Sequence, residues 1–246
     1  MSYAIIRCIS RVARGAVVAL AAVLSSCSYA GHDDALSQRF TWFSYINGDD
    51  IRARCAKGST DLYRFVYNGI YIKQARTYDI APASQGGGFV LRARVLGPSD
   101  LSDVTLDPGA IIGDPLDILA PFAGRKARGT LSARDIDALD ERLVTSGFFQ
   151  PAPKGLYLRS EDFFWTAVAC VNGRVTFNAW KYPSDGFNAL TFPALLFSWD
   201  ETGVAINPPR AVSEFEIYGG PDSKDHAPQF TLTVGENGLA GIGTLF

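Results

Sequence analysis

The two histidines are the residues of this sequence best suited to acid–base or metal chemistry. His32 precedes two aspartates in a small polar segment, and His226 lies in a polar, turn-rich stretch with Asp222 and Asp225. The second group could form a weak metal or acid–base site, whereas the ordinary interpretation is an exposed loop histidine. A serine–histidine–aspartate triad needs a histidine held rigidly beside a nucleophile, and neither position predicts that. We therefore predict no catalytic residue, no metal ligand and no cofactor.

Adjacent carboxylates occur at 49–50, 161–162 and 200–201. Glycoside hydrolysis needs two carboxyl groups about 5–9 Å apart in a cleft. Neighbours on a strand point to opposite faces, so adjacency alone does not predict such a pair. A glycan or peptide hydrolase stays open as an alternative without assigned residues.

Basic residues are concentrated in the first part of the sequence. Residues 39–97 carry a net charge of +5, and residues 98–246 carry −8. Side chains two positions apart on a strand share a face, and like charges that face each other destabilise a sheet unless an anion binds them. Either these residues form an anion-binding strand face, for lipopolysaccharide phosphates, an acidic glycan or an acidic protein, or the acidic second half neutralises them. The candidate residues are Arg52, Arg54, Arg64, Lys73, Arg92 and Arg94.

The first 24 residues have the charge pattern of a secretory signal. Arg7, Arg11 and Arg14 precede the apolar run 16–24. That run is too short for a transmembrane helix, which needs about 20 apolar residues. It has the length of the apolar region of a signal peptide.

The segment Leu24-Ser25-Ser26-Cys27 resembles the lipobox of bacterial lipoproteins, in which an aliphatic residue and two small residues precede the cysteine that receives the lipid. The resemblance implies cleavage of a signal peptide at 1–26, a diacylglycerol on the Cys27 sulfur, and acylation of the new amino terminus. Two or more acyl chains hold a protein stably at a membrane. Ser28 after the cysteine favours the outer membrane of a Gram-negative bacterium, on its periplasmic side. Residues 27–38 are then a lipidated tether.

Two cysteines remain for the folded body, Cys55 and Cys170. In an oxidising periplasm they are candidates for a disulfide. The alternation of apolar and charged residues from Ile51 to Cys55 predicts a strand with Cys55 on its buried face. A bridge would stabilise the fold by about 4–5 kcal/mol in the chain-entropy model. The alternative is two separate buried thiols, since cysteine packs as a small apolar residue.

Two Asn-Gly dipeptides predict β-hairpins, because this pair favours the positive φ angles of a type I′ turn. The first, Asn68-Gly69, joins strands 62–67 and 70–73 and places Tyr67 opposite Ile70. One side of this hairpin collects apolar residues: Tyr63, Phe65, Tyr67, Ile70 and Ile72. Composition and turn residues predict the other strands, at 163–171 and 174–182 around Asn172-Gly173, and at 40–46, 51–55, 88–96, 190–198, 212–218 and 229–234.

One amphipathic helix is predicted over about 133–146. Ser132 is its N-cap, Asp135 lies in its first turn and Gly147 ends it. Its apolar stripe consists of Ile136, Leu139, Leu143 and Val144. The fold class is therefore α+β, mainly β, with antiparallel sheets in a sandwich-like body, and residues 39–246 are expected to form one domain.

Composition limits the function. With 246 residues, 47% of them hydrophobic, the chain can bury a core, which excludes intrinsic disorder. Without 1–26 the net charge is −5, which argues against nucleic acid as a partner. We expect a membrane-anchored periplasmic lipoprotein with a structural, assembly or binding role. The partners would be the membrane and an envelope protein or an anionic glycan or lipid, and the alternatives are an anion-binding module and an envelope hydrolase.

Overall fold

The computed structural model describes residues 42–59, 61–84, 87–97, 124–213 and 229–245. Within these residues the strands are β1 Leu62–Gly69, β2 Ala75–Pro82, β3 Phe89–Leu96, β4 Arg125–Leu131, β5 Tyr157–Arg159, β6 Phe163–Val171, β7 Arg174–Lys181, β8 Gln229–Val234 and β9 Leu239–Leu245. The helices are α1 42–47, α2 Asp49–Ala56, α3 Ala133–Thr145, α4 Asp185–Asn188 and α5 Phe192–Ser198.

The strands form two antiparallel sheets. The larger has six strands in the order β4-β3-β2-β1-β6-β7, and the smaller has three in the order β5-β8-β9. Strands β1 and β6 are adjacent interior strands of the larger sheet, although β6 follows β1 by about a hundred residues, as in the pairing of Tyr63 with Ala169. The predicted class, α+β and mainly β, is confirmed.

Strands β1 and β6 are buried on both of their faces. Every residue of β1 is buried, and so is every residue of β6 except the last. On one face, Phe65 and Trp165 pack with residues of α3, α4 and α5. On the other face, Val66 and Val168 pack with α1, α2 and the smaller sheet. The larger sheet is therefore the middle layer of the molecule.

The predicted helix is confirmed as α3. Ser132 is its N-cap and forms a capping box with Asp135, which satisfies backbone donors of the first turn. Of the predicted apolar stripe, Val144 is an exception, since it is 65% exposed. From the same helix Asp140 accepts a hydrogen bond from the Tyr63 hydroxyl at 3.1 Å, which ties α3 to β1.

The second Asn-Gly hairpin is confirmed and the first is wrong. Asn172 and Gly173 have φ angles of 51° and 73° between β6 and β7. Asn68, in contrast, lies inside β1 and pairs with Ala75, while its side-chain amide donates to the backbone oxygens of Ser160 and Asp162. The chain reverses over 70–74 instead, so the predicted pairing of Tyr67 with Ile70 is not formed.

The apolar side predicted for this hairpin is nevertheless present. Tyr63, Phe65, Tyr67 and Ile70 are buried in one core, and Ile72 packs against it. These buried residues were predicted correctly because the side chains of β1 alternate between the two faces of the sheet wherever the strand ends.

Three other predicted strands, at 40–46, 51–55 and 190–198, are largely helical in their described parts, and the described part of a fourth, at 212–218, is not in a strand. Residues 42–47 and 51–55 are helical, and so is most of 190–198. Of 212–218, residues 212–213 are not in a strand and 214–218 lie outside the described residues. Short apolar runs do not by themselves distinguish a strand from a buried helix. The strands predicted at 88–96 and 229–234 are confirmed as β3 and β8.

A disulfide bond joins Cys55 on α2 to Cys170 on β6, with a Cα–Cα distance of 5.8 Å. Both residues are buried in the core between β6 and the elements that cover it. Of the two alternatives that the sequence left open, the structure therefore contains the disulfide rather than two separate thiols. The bridge fastens α2 to β6, an interior strand of the larger sheet.

Replacing both cysteines, as in Cys55→Ser with Cys170→Ser, is expected to lower the free energy of unfolding by about 2–5 kcal/mol, because the unfolded chain regains the entropy of a long loop. Urea unfolding of both proteins would measure the difference. The control is the unaltered protein with a thiol reductant, which should match the double variant. Equal midpoints for all three samples would contradict a stabilising bridge.

Candidate functional site

The six basic residues proposed as one anion-binding face do not form a single surface. Arg52 and Arg54 are on α2, Lys73 lies in the turn over 70–74, and Arg64 is in the interior. The two remaining residues, Arg92 and Arg94, lie on β3. The prediction of one shared strand face is therefore wrong, chiefly because 51–55 is helical.

Arg64 is buried in an ionic network. Its Nε donates to Asp79 at 2.6 Å, and its Nη1 donates to Asp50 at 2.6 Å and to the Tyr45 backbone oxygen at 3.0 Å. The guanidinium also lies 3.6 Å from the centre of the Tyr45 ring. This arrangement joins α1, α2 and β2 to β1.

The same network keeps Arg64 ionised. Burial alone would lower the pKa of Arg64, but the carboxylates of Asp79 and Asp50 raise it well above its usual value. The Tyr45 hydroxyl donates to Asp79 at 2.5 Å, and burial raises the pKa of this tyrosine. The residue opposite Arg64 on β2 is Asp79, a carboxylate, and not another of the candidate basic residues. The charge of Arg64 is therefore satisfied internally, but by two carboxylates of residues 39–97 rather than by the acidic second half of the sequence.

Arg52 has a structural role at the turn between β8 and β9. Its Nη2 donates to the Asn237 backbone oxygen at 2.7 Å, and its Nε donates to the Asn47 backbone oxygen at 3.0 Å. The Asn237 side chain in turn bonds the backbone of β7, accepting from Phe177 at 2.7 Å. A groove of about 480 Å³ beside this turn is lined by Arg52 and by a surface ion pair of Lys154 with Glu236. These polar groups hold the turn in place.

Exposed basic side chains do meet on β3 and β4. Arg92 lies directly opposite Arg128, and Arg94 lies directly opposite Lys126. We call these four residues the basic face. Arg92, Lys126 and Arg128 are exposed and Arg94 is half-buried. The basic face therefore retains two residues of the predicted set and adds two that the sequence analysis missed.

The basic face contains facing like charges. Residues directly opposite on antiparallel strands have Cβ atoms about 4.5–5.5 Å apart, and such like-charge pairs are destabilising. On its other side Arg92 neighbours Asp79, whose carboxylate accepts from Arg64 and Tyr45. Among the described residues, Arg92 and Arg128 have no hydrogen-bond or ion-pair partner, whereas Arg94 and Lys126 each have an interaction.

The adjacent carboxylates are used separately rather than together. Asp50 binds Arg64, and Asp162 accepts from the Arg159 backbone and pairs with Lys181 at 2.7 Å. Within the described residues no group of three metal-ligating side chains occurs. His32 and His226 lie outside the described residues.

Asp200 belongs to a second buried network. Its side chain, 4% exposed, accepts from Arg76, from the Tyr78 hydroxyl at 2.6 Å and from the Thr202 backbone at 2.9 Å. Burial alone would raise the pKa of Asp200, but hydrogen bonds from Thr202 and Tyr78, together with the charge of Arg76, lower it. The network holds the irregular segment after α5 against β2.

Cys27 and the rest of the lipobox lie outside the described residues. In the part of the chain that is described, no helix is both long and apolar enough to cross a membrane.

Comparison with known proteins finds no match for this chain among protein-family models, curated proteins or solved structures.

Asp200→Asn is expected to lower the free energy of unfolding by about 3 kcal/mol at neutral pH, because the charge of Arg76 loses its buried partner. A lowered folded-state pKa means that the ionised carboxylate stabilises the fold above its unfolded pKa of about 3.9. That contribution disappears as the pH falls through the folded-state pKa. Urea unfolding at a series of pH values should therefore show the two proteins converging below about pH 4.

The control for this experiment is Glu201→Gln, which changes the adjacent, exposed carboxylate. It should change stability by less than about 0.5 kcal/mol. If the free energies of unfolding of Asp200→Asn and the unaltered protein differed by the same amount across the acidic range, the lowered pKa of Asp200 would be contradicted.

Proposed function

We propose that this chain is a lipoprotein of the Gram-negative cell envelope, anchored through Cys27 to the periplasmic side of the outer membrane. Its β-rich domain would have a structural, assembly or binding role rather than a catalytic one. The observation that carries the proposal is the disulfide between Cys55 and Cys170. Disulfides persist in oxidising compartments such as the periplasm and are rare in the cytosol.

The disulfide supports the interpretation of the leader because it assigns the cysteines. The sequence has four, and the bridge uses the two in the folded body. Cys8 would leave with the signal peptide, so Cys27 is left as the thiol for the lipid. Charge, apolar run and lipobox also follow in the order that export and lipidation require.

The anchor would keep the domain close to the membrane. Residues 27–38 span at most about 40 Å when fully extended. Two or more acyl chains at Cys27 make this attachment stable, whereas a single chain binds only marginally. The domain would thus act on molecules that lie on or near the membrane surface.

A non-catalytic role is supported by how the carboxylates are used. Asp50 and Asp200 each neutralise a buried arginine, and Asp162 pairs with Lys181. A hydrolytic pair needs two carboxyl groups that converge on a substrate. These carboxylates instead maintain the fold.

The lipid anchor can be tested in cells given radioactive palmitate. The unaltered protein should incorporate label and leave the membrane fraction only in detergent, because its acyl chains are buried in the bilayer. Cys27→Ser should incorporate no label.

Cys8→Ser is the matched control, since it changes a leader cysteine outside the lipobox, and it should be labelled like the unaltered protein. Label in Cys27→Ser, or unlabelled protein that is soluble without detergent, would refute the anchor.

A further inference from the structure

The basic face is the feature of the described surface that calls for a ligand. Arg92 on β3 and Arg128 on β4 are exposed and lie directly opposite each other at one edge of the larger sheet. Neither guanidinium has a partner among the described residues. Because Arg94 and Lys126 have interactions of their own, Arg92 and Arg128 are the cations that a bound anion would neutralise. Two facing cations are relieved when an anion lies between them.

The chemistry of arginine indicates which anion fits. A guanidinium presents parallel N–H donors that match the oxygens of a phosphate in a bidentate arrangement. The side chains stand on a sheet face, whose neighbouring strands are about 4.8 Å apart. The two arginines therefore form an open surface that can be approached by phosphate groups displayed on another surface.

Charge is distributed unequally on the two sides of the larger sheet. Helix α3, whose apolar stripe packs in the core on the side opposite Val66 and Arg64, has a net charge of −2, from four acidic residues (Asp135, Asp137, Asp140 and Glu141) and two basic ones (Arg134 and Arg142). The side chains of Arg92 and Arg128 lie on the face shared with Asp79 and Arg64. An anionic surface would therefore attract the domain with the basic face toward it.

We propose that the basic face binds the phosphate headgroups of anionic lipids in the membrane that carries the anchor. The proposal rests on the lipid anchor proposed above, because a tether of about 40 Å holds the domain within reach of that surface. Tethering turns a weak contact into an intramolecular one with a high effective concentration. The headgroup contact would orient the domain, and the acyl chains would retain it.

The test uses residues 27–246 with Cys27→Ser, so that no acyl chain contributes to binding. Removing 1–26 removes none of the described elements. Cosedimentation is measured with vesicles of phosphatidylcholine, with and without phosphatidylglycerol, at low ionic strength. Binding should require phosphatidylglycerol. Arg92→Gln with Arg128→Gln should weaken it about 25-fold, since each basic residue near an anionic surface contributes a factor of about five. High salt should abolish it.

The control is Arg134→Gln with Arg142→Gln, which removes the same charge from the exposed surface of α3. It should bind like the unaltered protein. A second variant, Arg128→Glu, separates binding from folding, because an opposite charge facing Arg92 should preserve or raise the Tm while binding is lost.

Equal weakening by both double variants would overturn the proposal, because net charge alone would then explain binding. So would retention on heparin that depends on Arg92 and Arg128 without binding to vesicles, since the ligand would then be a soluble polyanion. Failure of the anchor itself is recognised separately, by palmitate labelling of the protein that retains Cys27.

Discussion

Strands β1 and β6 lie side by side in the interior of the larger sheet, and water reaches neither of their faces. An antiparallel sheet commonly leaves one face to solvent, but this pair requires cover on both. On one face, α2 is attached to the sheet by two interactions, the buried ion pair of Asp50 with Arg64 and the disulfide from Cys55 to Cys170. Arg64 on a buried strand needs carboxylates near it, and Asp50 on α2 provides one. The polar and covalent links therefore set where the helical cover lies.

Much of the fold follows from local patterns, while the errors have a physical explanation. The N-cap and apolar stripe of α3 and the turn at Asn172-Gly173 are local signals, and the structure contains both. In α2 the pattern was ambiguous, because Ile51 and Cys55 are four residues apart and share a face in a helix as well as in a strand. Both are buried, so the burial prediction was correct although the secondary structure was not. Strands β4 and β9 were missed because their glycine-containing sequences have weak strand propensity.

The candidate site was predictable only in part. The sequence singled out Arg92 and Arg94, but it did not predict β4, the partner strand that brings Arg128 opposite Arg92. Alternation of Lys126 and Arg128 with smaller residues was the available signal. The role of Arg64 could not be read from the sequence, because its carboxylates come from α2 and β2 and are brought together only by tertiary structure. Long-range pairing decides which charges stay at the surface.

The two cysteines of the bridge are 115 residues apart in the sequence. The β1–β2–β3 meander pairs residues that are close in the sequence, whereas β1 can pair with β6 only after about a hundred further residues have been made. Without those later residues one edge of β1 has unpaired backbone groups, one apolar face lacks α3 to α5, and the other lacks the smaller sheet. Contacts of this range slow folding and leave intermediates prone to self-association. The early half of the molecule thus depends on the late half, because β1 gains its second strand partner and the rest of its cover only from residues that follow position 130.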